Sequence, residues 1–272
     1  MTTADSVEWM TLGGNRVRVA TRAGQDGTPV ILCNGIGASL ELLQPLVDHL
    51  SPARPIVRLD VPGAGQSATP TLPYTLPGLA RTLGCLLDQR AYRYADILGF
   101  SWGGALAQQF AFQNPRRCRR LILVATATGA IMVPARPTIL AKTVPPPHIG
   151  DPDCVMSVAA QIYGGSIDSS TATIAALSQH MCPTSWRGYT YQLLAVAAWT
   201  SLFTLPLVRQ PTLIIAGTDD HIVPVANAHI MNALLPHSQL HLHHGGHLDL
   251  VTKPELFGPI IDAFLDRHCD PS

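Results

Sequence analysis

Apolar and polar positions alternate along this chain between the period of a strand and the period of a helix. Residues 7–10 and 16–20 flank Gly13-Gly14-Asn15, the signal of a β-hairpin. Residues 29–33 form an unbroken, largely apolar run, as expected of a strand covered on both faces. Leu40, Leu43, Leu46, Val47 and Leu50 then recur at helical spacing and predict an amphipathic helix over 39–50. A strand over 55–60 follows, then a Pro/Gly loop over 61–67. Leu79, Leu83, Leu86 and Leu87 mark one face of a helix over 76–89. Residues 94–98 read as a strand, 105–111 as a helix closed by Asn114-Pro115, and 121–125 as a further strand.

After residue 125 the alternation stops. Residues 130–205 are rich in Pro, Met, Tyr and Trp, and their only charges are Arg136, Lys142, Asp151, Asp153, Asp168 and Arg187. A strand over 211–217, a helix over 224–235, a strand over 239–243 and a closing helix spanning 260–265 restore it. Alternating units of this kind predict an α/β fold built on a mostly parallel, doubly wound sheet. The expected organisation is a core over 1–129 and 206–272, with residues 130–205 inserted at the carboxyl edge of the sheet. Residues 190–210 carry only Arg209 as a charge and approach the length of a bilayer span. Gln192, Thr200, Ser201, Thr204 and Pro206 interrupt them, so a buried helix leading back into the core is expected instead.

Length and composition narrow the classes. With 272 residues the chain can bury a sizeable core. Its net charge is zero and only 13% of residues are charged, so nothing attracts nucleic acid or an anionic membrane surface. Six cysteines show no C-x-x-C pair, and residues 1–6 lack the basic and apolar regions of a signal peptide. A cytoplasmic protein with reduced thiols is expected.

The chemistry concentrates at strand ends. Gly99-Phe100-Ser101-Trp102-Gly103-Gly104 stands between a strand and a helix, the context that makes G-x-S-x-G a nucleophile elbow. A serine hydroxyl needs a general base oriented by an acid, and in this fold both follow the serine in sequence. Asp220, three residues past Gly217 and four before Pro224, is the favoured acid, with Asp219 as the alternative. His247, after Gly245-Gly246, is the expected base. His241, His243 and His244 read as strand-surface histidines, with no accompanying metal-ligand motif, so neither metal nor other cofactor is expected. An oxyanion hole needs two backbone donors; Trp102 and Ile36, the latter within Asn34-Gly35-Ile36-Gly37, are the candidates.

Longer stretches are also recognisable. Asn34-Gly35-Ile36-Gly37-Ala38, Asp60-Val61-Pro62-Gly63, residues 101–110 and Ala125-Thr126-Ala127 resemble the intracellular medium-chain-length poly(3-hydroxyalkanoate) depolymerases of the α/β-hydrolase superfamily. So do Ile162-Tyr163-Gly164-Gly165, Trp199-Thr200-Ser201 and Gly245-Gly246-His247-Leu248. Phe100 departs from the pattern by standing where a smaller aliphatic residue is expected, and so does the Pro145-Pro146-Pro147 run. The resemblance implies an α/β-hydrolase fold with a mainly helical cap. It also implies an acyl-enzyme on Ser101 and a hydrophobic polyester or acyl ester as substrate, with a storage-granule surface as a further partner. Met132, Tyr163, Trp186, Tyr189 and Trp199 are the pocket-lining candidates.

Other activities remain open on the same residues: a small-ester or lactone hydrolase, a carbon–carbon bond hydrolase, a 3-hydroxyacyl transferase, or a binding protein without catalysis. Haloalkane dehalogenases and epoxide hydrolases need Asp at the elbow. The basic run 116–120 joins the elbow helix to the next strand, which puts it on the opposite sheet edge and leaves a transferase without an evident carrier site.

Overall fold

The computed structural model describes residues 5–25, 27–139, 163–165 and 185–267. Most of the 130–205 insertion, including Pro145-Pro146-Pro147 and Ile162, lies outside the described residues.

Strands β1 (Ser6–Leu12), β2 (Asn15–Arg22), β3 (Val30–Cys33), β4 (Ile56–Leu59), β5 (Ala95–Phe100), β6 (Cys118–Val124), β7 (Thr212–Gly217) and β8 (Ser238–His243) form one sheet. Its order is β1-β2-β4-β3-β5-β6-β7-β8. β1 pairs antiparallel with β2, and β2 with β4; the pairs from β4 to β8 are parallel.

Side chains of a strand point alternately to its two faces, and both faces are apolar here. Ile31, Ile97, Leu121, Leu123 and Ile214 pack beneath the helices α2 (Leu76–Gln89), α3 (Trp102–Gln113) and Ala226–Leu234. Val30, Leu32, Leu98, Ile122, Leu213 and Ile215 pack against α1 (Gln44–His49) and the C-terminal helix Pro254–Leu265. That double covering is why these strands read as continuous apolar runs.

Three elements differ from expectation. The helix expected over 39–50 divides into a 3-10 turn, Leu40–Leu43, followed by α1. Pro45 in the first turn of α1 has no N–H to donate backwards, and the preceding turn closes with tighter bonds, Leu42 N to Ser39 O at 3.1 Å among them. The elbow helix begins at Trp102, directly after Ser101, rather than at residue 105. The helix expected to be buried within 190–210 spans Trp186–Ala197 and is only half covered: Gly188, Tyr189, Gln192 and Ala195 form its inner stripe, while Leu194 is 50% exposed. Among the described residues no helix is long and apolar enough to cross a membrane.

The chain leaves β3 in one direction along the sheet and returns to β5 on the other side of it. This reversal sets the carboxyl ends of β3 and β5 side by side, with Cys33 opposite Gly99. Such a switch point is where an open α/β sheet offers a crevice. The basic run sits at the other edge, where Arg117 pairs with Asp88 at 2.6 Å and Arg119 Nε donates to Asp96 at 2.8 Å.

Candidate active site

Ser101 is held in a conformation that non-glycine residues rarely adopt, with φ 53° and ψ −121°. Backbone bonds on both sides fix it: its N–H donates to Val124 O and its carbonyl accepts from Gly104 N–H, each at 2.9 Å. The turn leaves no room for neighbouring side chains. A Cβ on Gly99 would collide with the Gly103 carbonyl, one on Gly103 with the Cys33 carbonyl, and one on Gly104 with Thr126.

The structure brings His247 and Asp220 to this serine. His247 Nε2 lies 3.0 Å from Ser101 Oγ, and His247 Nδ1 lies 2.8 Å from Asp220 Oδ2. With Asp220 ionised, Nδ1–H donates to the carboxylate and Nε2 accepts the serine hydroxyl. The second oxygen, Oδ1, accepts the N–H groups of Ile222 at 2.9 Å and Val223 at 2.8 Å. Asp220 and His247 are both buried. A buried carboxylate with all its partners in place is a rigid orienting group.

Asp219 points elsewhere. Its side chain is exposed, its Oδ2 accepts Gly165 N–H at 2.7 Å, and its Oδ1 lies 3.2 Å from His221 Nε2. The Gly165 N–H holds its carboxyl below the ordinary value. The alternative acid is thus an anchor for residues 163–165.

That short segment fits against the histidine loop through main chain. His247 N–H donates to Tyr163 O at 2.8 Å. A Cβ on Gly164 would run into Asp219 O, one on Gly246 into Gly164 O, and one on Gly217 into Gly245 O. Gly164 and Gly165 both have positive φ, 67° and 71°. The Tyr163 ring then stacks on the His247 imidazole, 6.3 Å between centroids and 19° between planes.

The loop after β3 passes over the nucleophile. A Cβ on Gly35 would touch the Phe100 ring at 3.4 Å and Ser101 Cβ at 3.6 Å. Asn34 closes this loop on itself: Oδ1 accepts Gly35 N–H at 2.8 Å and Nδ2 donates to Ser39 O. Asp60, fully buried at the end of β4, ties its far end to the loop after β4 by accepting Leu40 N–H at 2.7 Å and Gln66 N–H at 3.0 Å. Among the described residues, neither Ile36 N–H nor Trp102 N–H donates to another backbone group.

The five pocket candidates separate. Tyr163 lies beside His247, and Tyr189 is buried with its ring 3.1 Å from where a Gly37 Cβ would stand. Trp186 lies outside the inner stripe of its helix and is 60% exposed. Trp199 is fastened to α3, its Nε1 donating to Gln109 Oε1 at 2.7 Å. Met132 is half-buried. Among the described residues no three His, Cys, Asp or Glu side chains are grouped to hold a metal.

Phe100 and Asn34 contribute in ways the sequence does not announce. Phe100 is 2% exposed and lies 5.4 Å from His247, centroid to centroid. Its signal is the departure itself: a large ring where a small aliphatic residue is expected.

Known proteins share this fold. Residues 28–254 match the family model described as alpha/beta hydrolase fold. The poly(3-hydroxyalkanoate) depolymerase of Ectopseudomonas oleovorans is 40% identical over 94% of this chain and 91% of its own length. The enol-lactonase of Burkholderia xenovorans LB400 superposes with a TM-score of 0.82 at 20% identity, covering 96% of this chain and 100% of its own. An esterase from Exiguobacterium antarcticum gives 0.82 at 18% identity, covering 95% and 99%. With a family model matched from the third strand to the last helix, this chain belongs to the α/β-hydrolase fold family.

Proposed function

We propose that this protein hydrolyses the ester bonds of a poly(3-hydroxyalkanoate), of medium side-chain length, to 3-hydroxyacids. The observation that carries the chemistry is the continuous hydrogen-bonded line from Asp220 through His247 to Ser101. The polyester as substrate rests on the 40% identical depolymerase.

In this reading Ser101 Oγ attacks the ester carbonyl carbon while His247 Nε2 takes its proton. Asp220 keeps the imidazole oriented and stabilises its cation. The carbonyl oxygen becomes an oxyanion held by the N–H groups of Ile36 and Trp102. Collapse breaks the ester C–O bond, His247 returns the proton to the departing hydroxyl, and an acyl-enzyme remains on Ser101. Water then attacks that acyl carbon, giving its proton to His247. The Ser101 ester breaks as His247 returns that proton to Oγ, and a 3-hydroxyacid leaves. Tyr163 and Tyr189 border the acyl site, and residues 130–205 form the cap. Burying an aliphatic side chain there contributes about 0.8 kcal/mol per CH₂. The enzyme works in the cytoplasm, at the surface of polyester granules.

Clearing of a medium-chain polyhydroxyalkanoate suspension, measured beside p-nitrophenyl octanoate turnover, tests this directly. Both should occur, and Ser101→Ala should abolish both. Ester turnover without clearing would assign a small-ester hydrolase instead, and 3-hydroxyacyl thioesters formed with an added thiol would assign a transferase.

A further inference from the structure

We propose that Gln192 is a positioning residue for the oxyanion site, fastening both of its walls to the helix Trp186–Ala197. The proposal rests on Ser101 being the nucleophile and Ile36 and Trp102 the oxyanion donors. Gln192 is completely buried on the inner stripe of that helix. Its Oε1 accepts the N–H of Gly37 at 2.8 Å, one residue after Ile36. Its backbone carbonyl accepts the indole Nε1–H of Trp102, also at 2.8 Å. One residue therefore grips the loop after β3 and the first residue of the elbow helix together.

The orientation of the amide follows from chemistry. A backbone N–H only donates, so the atom facing Gly37 is the oxygen. This leaves Nε2 buried with no hydrogen-bond partner among the described residues. A methionine would fill the same length without burying an orphaned donor. Packing alone thus gives no reason for an amide here, whereas the bond to Gly37 does.

The consequence is kinetic. Asn34 closes the loop from its amino-terminal side, and Gly37, at φ 70°, has conformational freedom that its bond to Gln192 restrains. Donors aimed at the oxyanion gain most of their strength in the transition state. Loosening their mounting lowers turnover more than it lowers substrate binding.

The test uses the full chain and p-nitrophenyl octanoate. Gln192→Met is expected to lower kcat about ten- to hundred-fold with KM within about two-fold. Affinity for a trifluoromethyl ketone, which forms a tetrahedral adduct on serine, should fall by the same factor as kcat. Trp102→Phe, which removes the indole donor, should show the same signature, and the double variant should lose less than the product of the two. Wild-type kcat and ketone affinity in folded Gln192→Met, or a change confined to KM, would overturn the proposal. If Gln192→Met fails to fold, Gln192→Leu, which likewise lacks the acceptor for Gly37 N–H, decides by the same criteria. Labelling of wild-type Ser101 by a fluorophosphonate separates the two levels: without it the hydrolase reading fails and this proposal with it; with it, an unaffected Gln192→Met sinks only the role of Gln192.

Discussion

Phe100 lies against the imidazole of His247, ring centroids 5.4 Å apart and planes inclined by 42°. The strand that delivers the serine therefore also supplies a wall for its base. Phe100→Ala should cost about 3–5 kcal/mol of stability through the cavity it leaves. It should also lower kcat on p-nitrophenyl octanoate about ten-fold, because an imidazole displaced by a fraction of an ångström loses its line to Ser101. Phe100→Leu should keep most of the stability and a larger share of kcat. Urea unfolding and steady-state kinetics on the same samples check both.

The two adjacent aspartates give a sharp contrast. Asp220→Asn removes the carboxylate that orients His247 and should lower kcat roughly 10⁴-fold. Asp219→Asn keeps an oxygen acceptor for Gly165 N–H and should stay within about five-fold of wild type. Equal losses in the two variants would contradict the division of roles.

Much of this site was legible because its chemistry sits where strands end. Ser101, Asp220 and His247 each follow a run that periodicity alone marks as a strand, and Gly99 and Gly103 advertise the tight turn between them. The contact of Phe100 with His247 joins residues far apart in sequence, and nothing local encodes it. Gln192 reads as an interruption in an apolar stretch; only the fold shows that its polar end meets Gly37. Trp186 and Trp199 looked alike as aromatic cap residues, but one faces out from its helix and the other is bonded to Gln109. Composition could not separate them. The division of the 39–50 helix was foreshadowed by Pro45, whose effect on the preceding turn outweighed the leucine spacing.

Gly103→Ala tests the elbow's steric demand. The added methyl meets main-chain atoms of Cys33 and Asn34, which cannot rotate away as a side chain would. A loss of more than about 3 kcal/mol is expected, read as a lowered urea midpoint or as failure to accumulate folded protein. A folded variant of wild-type stability would mean that β3 and α3 are not packed this closely.

His243 should make stability fall on mild acidification. Its side chain lies against Phe257, ring centroids 4.8 Å apart, and 3.6 Å from Asp249 Oδ2. Burial pushes its pKa below the ordinary 6.5, although Asp249 and the more distant Asp220 oppose this; His241 and Lys253 reinforce it. The unfolded chain thus binds this proton more readily than the folded one, so the stabilisation is complete above pH 6.5 and lessens as pH falls through that value. His243→Phe, unable to titrate, should give a flatter profile of thermal midpoint between pH 7 and pH 5. An unchanged slope would assign the acid sensitivity to other groups.

The seam that holds residues 163–165 beside the histidine is made largely of main chain: Gly164 against the Asp219 carbonyl, Gly246 against the Gly164 carbonyl, Tyr163 O on His247 N–H. A joint built mostly of main chain leaves mutation few side chains to alter, the Asp219 carboxylate and the Tyr163 ring among them. Descendants of this sequence can therefore exchange the residues that meet the acyl chain while inheriting the alignment of the base unchanged. New substrate preferences can arise here without the proton relay having to be reinvented.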